Sequence, residues 1–254
     1  MGLVGADPLV VLRRQPDHAA VLLDFDGTLA PIVERSGDAR PLPGAREVLV
    51  ALQEAYAVVA VISGRPVAYL TKHLGSGLRL VGLYGLEWTS GGDRFEHAEA
   101  AEWRPVIDAL AVEASRVLPA GVDVEHKGLS LTLHLRPAPP SAAAVVQAWA
   151  ADAARRTGTK QRAAKMSVEL HPPIAADKGT VVADLLRGLT AAAYLGDDQG
   201  DLPAFAALDS FRSAGGHATK IAIAGIDATP ALVAAADIVV DGPPAALTLL
   251  RTLI

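Results

Sequence analysis

Two carboxylates stand two residues apart where the apolar run Ala19-Ala20-Val21-Leu22-Leu23 ends, in Asp24-Phe25-Asp26-Gly27-Thr28-Leu29. A carboxylate can attack phosphorus and form an acyl phosphate, which splits a hydrolysis into two easier steps. A second acid nearby can protonate the leaving oxygen and later activate water. The pair can also help hold a divalent cation. A calcium loop is the rival for such a pattern, but its fifth and twelfth positions would be Thr28 and Arg35. A cation at the twelfth cannot supply the oxygen ligands that loop requires.

Three further motifs carry compatible chemistry. Ile62-Ser63-Gly64-Arg65-Pro66 offers a hydroxyl and backbone N–H groups where a helix should begin, which is a seat for phosphate. Taken alone, Ser63 reads more simply as an N-cap. Asp177-Lys178-Gly179 brings a lysine into a helix start, where it can neutralise phosphate and the charge that builds in a transition state. Leu195-Gly196-Asp197-Asp198-Gln199-Gly200-Asp201 crowds three carboxylates into five positions after an apolar run. Unpaired, they would raise one another's pKa values. Mg2+ relieves this, because it takes few protein carboxylates and completes its shell with water and phosphate oxygens.

Such groups work together only if the chain brings them to one edge. Short apolar runs at 19–23, 58–62, 78–83, 191–195, 220–224 and 238–240 read as strands. Helical patterns separate them: one entered at Pro43 with an apolar stripe at Val48, Leu49 and Leu52, one after Pro66, one over 179–186, and one after Asp201. The alternation predicts an α/β fold, a doubly wound, mainly parallel sheet of Rossmann-like type. All four motifs then fall at the C-terminal ends of strands, where open α/β sheets bind ligands.

The middle of the chain follows a different rhythm. Residues 102–118 and 141–156 read as helices. Residues 122–127 and 129–136, around Gly128, form an antiparallel hairpin with one solvated face, and 162–165 with 167–171 a second strand pair. This predicts an inserted α+β cap at residues 104–172, with 1–103 and 173–254 forming the core domain. Alternation sets Glu125 and Lys127 on one face of their strand and Ser130, Thr132, His134 and Arg136 on one face of the next. Lys165, Ser167, Glu169 and His171 cluster on the second pair.

The bulk numbers bound the function. The 254 residues suffice for a core domain with a smaller companion. Hydrophobic residues are 51% and aromatics only 4%, so the core must be built mostly of Ala, Val and Leu. A net charge of −5 argues against nucleic acid or a polybasic membrane contact. The absence of cysteine excludes disulfides and thiolate metal sites and fits a reducing compartment. With no signal-peptide pattern and no apolar stretch near the ~20 residues a bilayer requires, a soluble cytoplasmic protein is expected.

The order Asp-x-Asp, Ser, Lys, Asp-Asp resembles the haloacid-dehalogenase-like phosphatase superfamily over the whole chain. The resemblance implies that Asp24 is the nucleophile and Asp26 the general acid/base, with Ser63 and Lys178 holding the phosphoryl group. Thr28, Gly64 and Arg65 would line the substrate. Mg2+ would be held by Asp24, the backbone carbonyl of Asp26, and Asp197, with Asp198 at the metal and Asp201 behind it.

Glu125-His126-Lys127, His134-Leu135-Arg136, Lys165-x3-Glu169, Gly82-Leu83-Tyr84-Gly85-Leu86-Glu87 and segment 196–205 resemble the trehalose-6-phosphate phosphatase family. In that family the cap residues matching Glu125, Lys127, Arg136, Lys165 and Glu169 would contact the sugar and help enclose its phosphate, and Ser130, at a position that can be Asn, is expected to join them at the substrate. Carboxylates suit sugar hydroxyls, and basic side chains suit phosphate. Tyr84 stands where many members have His, and Gln199-Gly200-Asp201-Leu202 replaces a Thr-Asp-Glu run. The expected activity is Mg2+-dependent hydrolysis of trehalose 6-phosphate. Two other readings stay open: another sugar phosphate (glycosyl phosphoglycerate, sucrose phosphate or a trehalose-like pseudo-disaccharide phosphate), and a non-catalytic sugar-phosphate sensor.

Overall fold

An unbroken apolar run makes a strand buried on both faces, and every residue of β1 (Ala19–Leu23), which follows the short helix α1 (Val10–Arg14), is buried. A computed structural model describes residues 7–164, 166–225 and 227–254. α2 (Ala45–Ala55) buries Ala45, Val48, Leu49 and Leu52 and leads to β2 (Val58–Ile62). Pro43 does not itself open this helix; Gly44, at φ 85°, caps it. α3 (Val67–Leu74) and β3 (Arg79–Gly82) follow, and then a hairpin that alternation did not predict, β4 (Glu87–Ser90) and β5 (Asp93–Glu96). The next elements are α4 (Arg104–Val117), β6 (Asp123–His126), β7 (Leu131–His134), α5 (Ala142–Thr157), β8 (Lys160–Ala164) and β9 (Ser167–His171). The chain closes with α6 (Lys178–Leu185), β10 (Ala191–Gly196), α7 (Leu202–Ser213), β11 (His217–Ala224), α8 (Pro230–Ala235), β12 (Ile238–Asp241) and α9 (Gly242–Arg251).

The large sheet runs β12-β11-β10-β1-β2-β3-β4-β5, parallel from β12 to β3 and antiparallel from β3 to β4. The chain extends from β1 to one side through β2 and β3. It later extends to the other side through β10, β11 and β12, so the topological switch lies at β1 and β10. Leu23 is level with Leu195 on one side and Val61 on the other, which brings three C-terminal strand ends together. The core is aliphatic, as the composition requires. Tyr194 and Phe205 meet edge to face at 6.2 Å within it. Burying Phe205 and Leu208 of α7 stabilises the fold by roughly 1.5–3 kcal/mol each.

Contacts divide the chain into two units. The larger takes the segments up to Ile32, Ala39–Arg94 and Ala176–Ile254, and the smaller takes Val33–Asp38 and Phe95–Ala175. Residues 33–38, 95–103 and 173–175 thus group with the smaller unit alongside 104–172.

The smaller unit's sheet is antiparallel, in the order β6-β7-β9-β8. Leu131, Leu133, Val168 and Leu170 pack with Ile107, Leu110 and Ala114 of α4 and Val146, Ala150 and Ala153 of α5. The opposite face is polar but not solvated as expected: Ser130, Thr132 and Glu169 are each at most 5% exposed. Among the described residues no helix is long and apolar enough to cross a membrane.

Candidate active site

Asp24 leaves the end of β1, with its N–H donating to the Leu195 carbonyl of β10 at 2.9 Å. Lys178 reaches it from the first residue of α6, Nζ to Oδ1 2.8 Å, and also donates to Asp201 Oδ1 at 2.7 Å. A capping box fixes that helix start: Thr180 N–H donates to Asp177 Oδ1, and Thr180 Oγ1 accepts from Asp177 N–H. The motif therefore divides its work, with Asp177 ending the loop and Lys178 reaching inward.

Asp201 is fully buried and accepts four hydrogen bonds. Lys178 Nζ and the Tyr194 hydroxyl (2.6 Å) donate to Oδ1, and the N–H groups of Asp197 (2.9 Å) and Asp198 (3.1 Å) donate to Oδ2. Carboxylate oxygens of Asp24, Asp197 and Asp201 lie within 4.8 Å of one another, so the trio could hold a metal ion. The four donors already occupy Asp201, which leaves Asp24 and Asp197 as the side chains of the trio suited to ligation. Asp198 stands outside the trio; its Oδ1 accepts from Gly200 N–H and caps the single turn Gln199–Asp201.

Charge explains why a cation fits. Burial drives the Asp24 carboxyl well above its usual range; Lys178 opposes this, and Asp201 and Asp198 add to it. Burial also pushes Asp197 up to about 10, assisted by Asp24, Asp198 and Asp201. Burial works against the Lys178 ammonium, but Asp201 and Asp24 outweigh it and hold the lysine charged. One ammonium thus faces several carboxyl groups, and a hard divalent ion would balance the remaining charge. The backbone allows these groups to converge. Gly27 sits at φ 74°, and a side chain there would run into the Asp197 carboxylate.

Ser63, at the end of β2, is 1% exposed. Its Oγ accepts from Arg65 N–H at 3.2 Å, while the N-cap position of α3 falls to Pro66. The α3 start is held from β4, where fully buried Glu87 accepts from Val67 N–H and pairs with Arg94. Gly64 leaves room for the Tyr84 ring, which a Cβ there would approach to 2.7 Å. Leu83 and Tyr84 both have positive φ, 49° and 59°. Such consecutive strain costs on the order of 1–3 kcal/mol per residue and clusters at working loops. Thr28 Oγ1 is buried with no hydrogen-bond partner among the described residues. Arg65 grips Asp26 with both arms of its fork, Nε to Oδ2 2.7 Å and Nη2 to Oδ1 2.8 Å.

In the smaller unit, register assembles a row across four strands, Glu125, Thr132, Glu169 and Arg162. His134 Nε2 lies 2.7 Å from Glu125 Oε2, and Ser130 Oγ donates to Glu169 Oε1 at 2.6 Å. Lys127 Nζ stands 3.9 Å from both Glu125 and Glu169. Arg136 lies two residues past β7 and is exposed. Lys165 falls outside the described residues. Sequence reasoning missed Tyr194, whose hydroxyl is hidden in an apolar strand, and the pairing of Arg162 with Glu169 (Nη1 to Oε2, 3.4 Å). The latter depends on strand register, which alternation does not supply.

Comparison with known proteins agrees with this architecture. A trehalose-phosphate phosphatase from Mycobacterium avium (strain 104) is 37% identical over 202 residues, covering 75% of this chain and 51% of that protein. The chain therefore spans about half the length of the curated relatives it matches. A solved trehalose-6-phosphate phosphatase related protein shares the fold at TM-score 0.79 and 21% identity, covering 92% of this chain and 96% of that one. The C-terminal domain of C. albicans trehalose-6-phosphate phosphatase superposes at TM-score 0.76 and 21% identity, covering 96% and 94%. The Trehalose-phosphatase family profile matches residues 22–229, and the chain belongs to that family.

Proposed function

We propose that this chain is a Mg2+-dependent phosphatase that releases trehalose and inorganic phosphate from trehalose 6-phosphate through an aspartyl phosphate on Asp24. The observation that carries the reading is the buried Lys178 ammonium shared between Asp24 and Asp201, with Asp197 beside them. Asp24 attacks phosphorus in line as Asp26 gives a proton to the sugar oxygen; Asp26 then takes a proton from the water that hydrolyses the acyl phosphate. Lys178 and Ser63 hold the phosphoryl oxygens, and Thr28 and Gly64 line them. Asp24, the Asp26 carbonyl and Asp197 would hold Mg2+, which supplies charge neutralisation at the phosphoryl group. Asp198 would orient waters near that ion, and Asp201 fixes Lys178. In the smaller unit, which we read as a cap, Glu125 and Glu169 would accept from sugar hydroxyls. Lys127, Arg136 and Lys165 would meet the phosphate side, and Ser130 would hold the Glu169 carboxylate.

Phosphate release over a panel of sugar phosphates, with kcat/KM for each, tests the assignment. Trehalose 6-phosphate is expected to exceed the others by at least about tenfold, a gap of about 1.4 kcal/mol in transition-state binding; a smaller margin would remove the specific substrate. Excess chelator is expected to abolish turnover and added Mg2+ to restore it. Activity that survives chelation would rule out the metal role.

A further inference from the structure

Arg65 reaches Asp26 from a neighbouring strand end, three residues past β2 against three residues past β1. The fork is bidentate, at 2.7 and 2.8 Å, and the arginine is the more deeply buried partner, its side chain 9% exposed against 29% for Asp26. One further contact holds the guanidinium itself, and others hold the groups around it. Its carbon lies 4.7 Å over the centre of the Tyr69 ring, one turn along α3. Tyr69 meets Phe25 edge to face at 6.0 Å, and Phe25 is the residue between the two aspartates. The Arg65 backbone is held on both sides, its N–H by Ser63 Oγ and its carbonyl by Leu83 N–H. Asp26, Arg65, Tyr69 and Phe25 thus close a circuit that returns to the Asp-Phe-Asp loop.

We propose that Arg65 is the positioning residue of Asp26 and acts on the reaction through that carboxyl group rather than on the phosphoryl group. The inference rests on the reading of Asp26 as general acid/base. A part-exposed aspartate would otherwise rotate freely, and proton transfer needs it within hydrogen-bond reach of the leaving oxygen. A bidentate partner can release one carboxyl oxygen and keep the other. When an Asp24 oxygen bonds to phosphorus and the bond from phosphorus to the sugar oxygen breaks, the proton on the released Asp26 oxygen passes to the sugar oxygen. The other Asp26 oxygen stays on the guanidinium. In the second step water bonds to phosphorus, the Asp24–phosphorus bond breaks, and the water's proton returns to the released oxygen. A lysine carries the same charge but cannot span both oxygens.

Leaving-group dependence separates this role from phosphate binding, because a sugar alkoxide needs a proton to depart and 4-nitrophenolate does not. The experiment measures kcat/KM, with Mg2+, for trehalose 6-phosphate and 4-nitrophenyl phosphate in the wild type, Arg65→Lys, Arg65→Met and Asp26→Asn. Thermal melts establish that each variant folds. Arg65→Lys is expected to lower kcat/KM for the sugar phosphate by about 10²-fold, the lower range for losing general acid catalysis. The loss on the aryl phosphate should be at least tenfold smaller. Tyr69→Leu, which keeps the fork and removes its platform, should show the same asymmetry at lower amplitude and serves if the Arg65 variants do not fold. Equal losses on both substrates with a raised KM would place Arg65 on the phosphoryl group and overturn the proposal. If Asp26→Asn shows the asymmetry and the Arg65 and Tyr69 variants do not, the positioning role fails and the acid/base reading stands. If Asp26→Asn lacks it, the acid/base reading falls and the proposal falls with it.

Discussion

Replacing Asp24 with Asn is expected to cut phosphate release on the order of 10⁴-fold or more, the scale seen when a nucleophile is removed, while the protein remains folded. The carboxamide has nearly the same shape, and the backbone N–H of this residue keeps its bond to Leu195 whatever the side chain. What is lost is the nucleophile, since an amide cannot form the acyl phosphate. What is gained is relief of charge. Burial raises the Asp24 carboxyl, with Asp201 and Asp198 pushing the same way against Lys178. A carboxyl raised in the folded state costs stability once pH exceeds its unfolded value, about 4. With no divalent cation added, the variant should therefore melt with the wild type below about pH 4 and at or above it at neutral pH. Lys178 keeps Asp201 as its partner throughout. Phosphate-release assays beside calorimetry check both halves, and a variant with near wild-type turnover would exclude Asp24 as the nucleophile.

How much of this was legible in the sequence depends on which physical signal each feature leaves. β1, β2 and β10 announce themselves because a strand covered on both faces must be continuously apolar, and each ends where its motif begins. The β4–β5 hairpin leaves no such mark, because Glu87, Arg94 and Glu96 interrupt it, and Glu87 is buried while accepting from Val67 N–H and pairing with Arg94. Alternation assigned the polar face of the small sheet correctly but not its environment. Ser130, Thr132 and Glu169 are polar and nevertheless withdrawn from water, and a period of two does not report depth. Pairings between segments are the least legible. Arg65 is 39 residues from Asp26, and nothing in Ser-Gly-Arg states that its fork closes on the second aspartate. The motif signals which residues gather at the strand ends, and the packing decides which of them hold one another.

Asp201 shows how strongly that packing can matter for a residue that need not touch substrate. Asp201→Asn is expected to destabilise the protein by about 3–5 kcal/mol, the cost of breaking one side of a buried charged pair. At roughly 2–4 °C per kcal/mol for a chain of this size, the melting temperature should fall by roughly 10 °C. The reason is the direction of its four hydrogen bonds. Oδ1 faces the Lys178 ammonium and the Tyr194 hydroxyl, and Oδ2 faces two backbone N–H groups. An amide offers one oxygen and one NH2, so either orientation sets donors against donors. If the NH2 faces Lys178, the ammonium loses one of its two carboxylates; if it faces the backbone, the Asp197–Asp198 loop is pushed from its place. Both arrangements damage the cluster at Asp24, so turnover should fall with stability even in the fraction that remains folded. Tyr194→Phe removes a single donor and provides the comparison, with an expected cost of about 1 kcal/mol. Calorimetry of both variants, with phosphate release measured below the lower melting point, checks the order. An Asp201→Asn protein as stable as Tyr194→Phe would show that Asp201 is not the group that holds Lys178 and the Asp197–Asp198 loop in register.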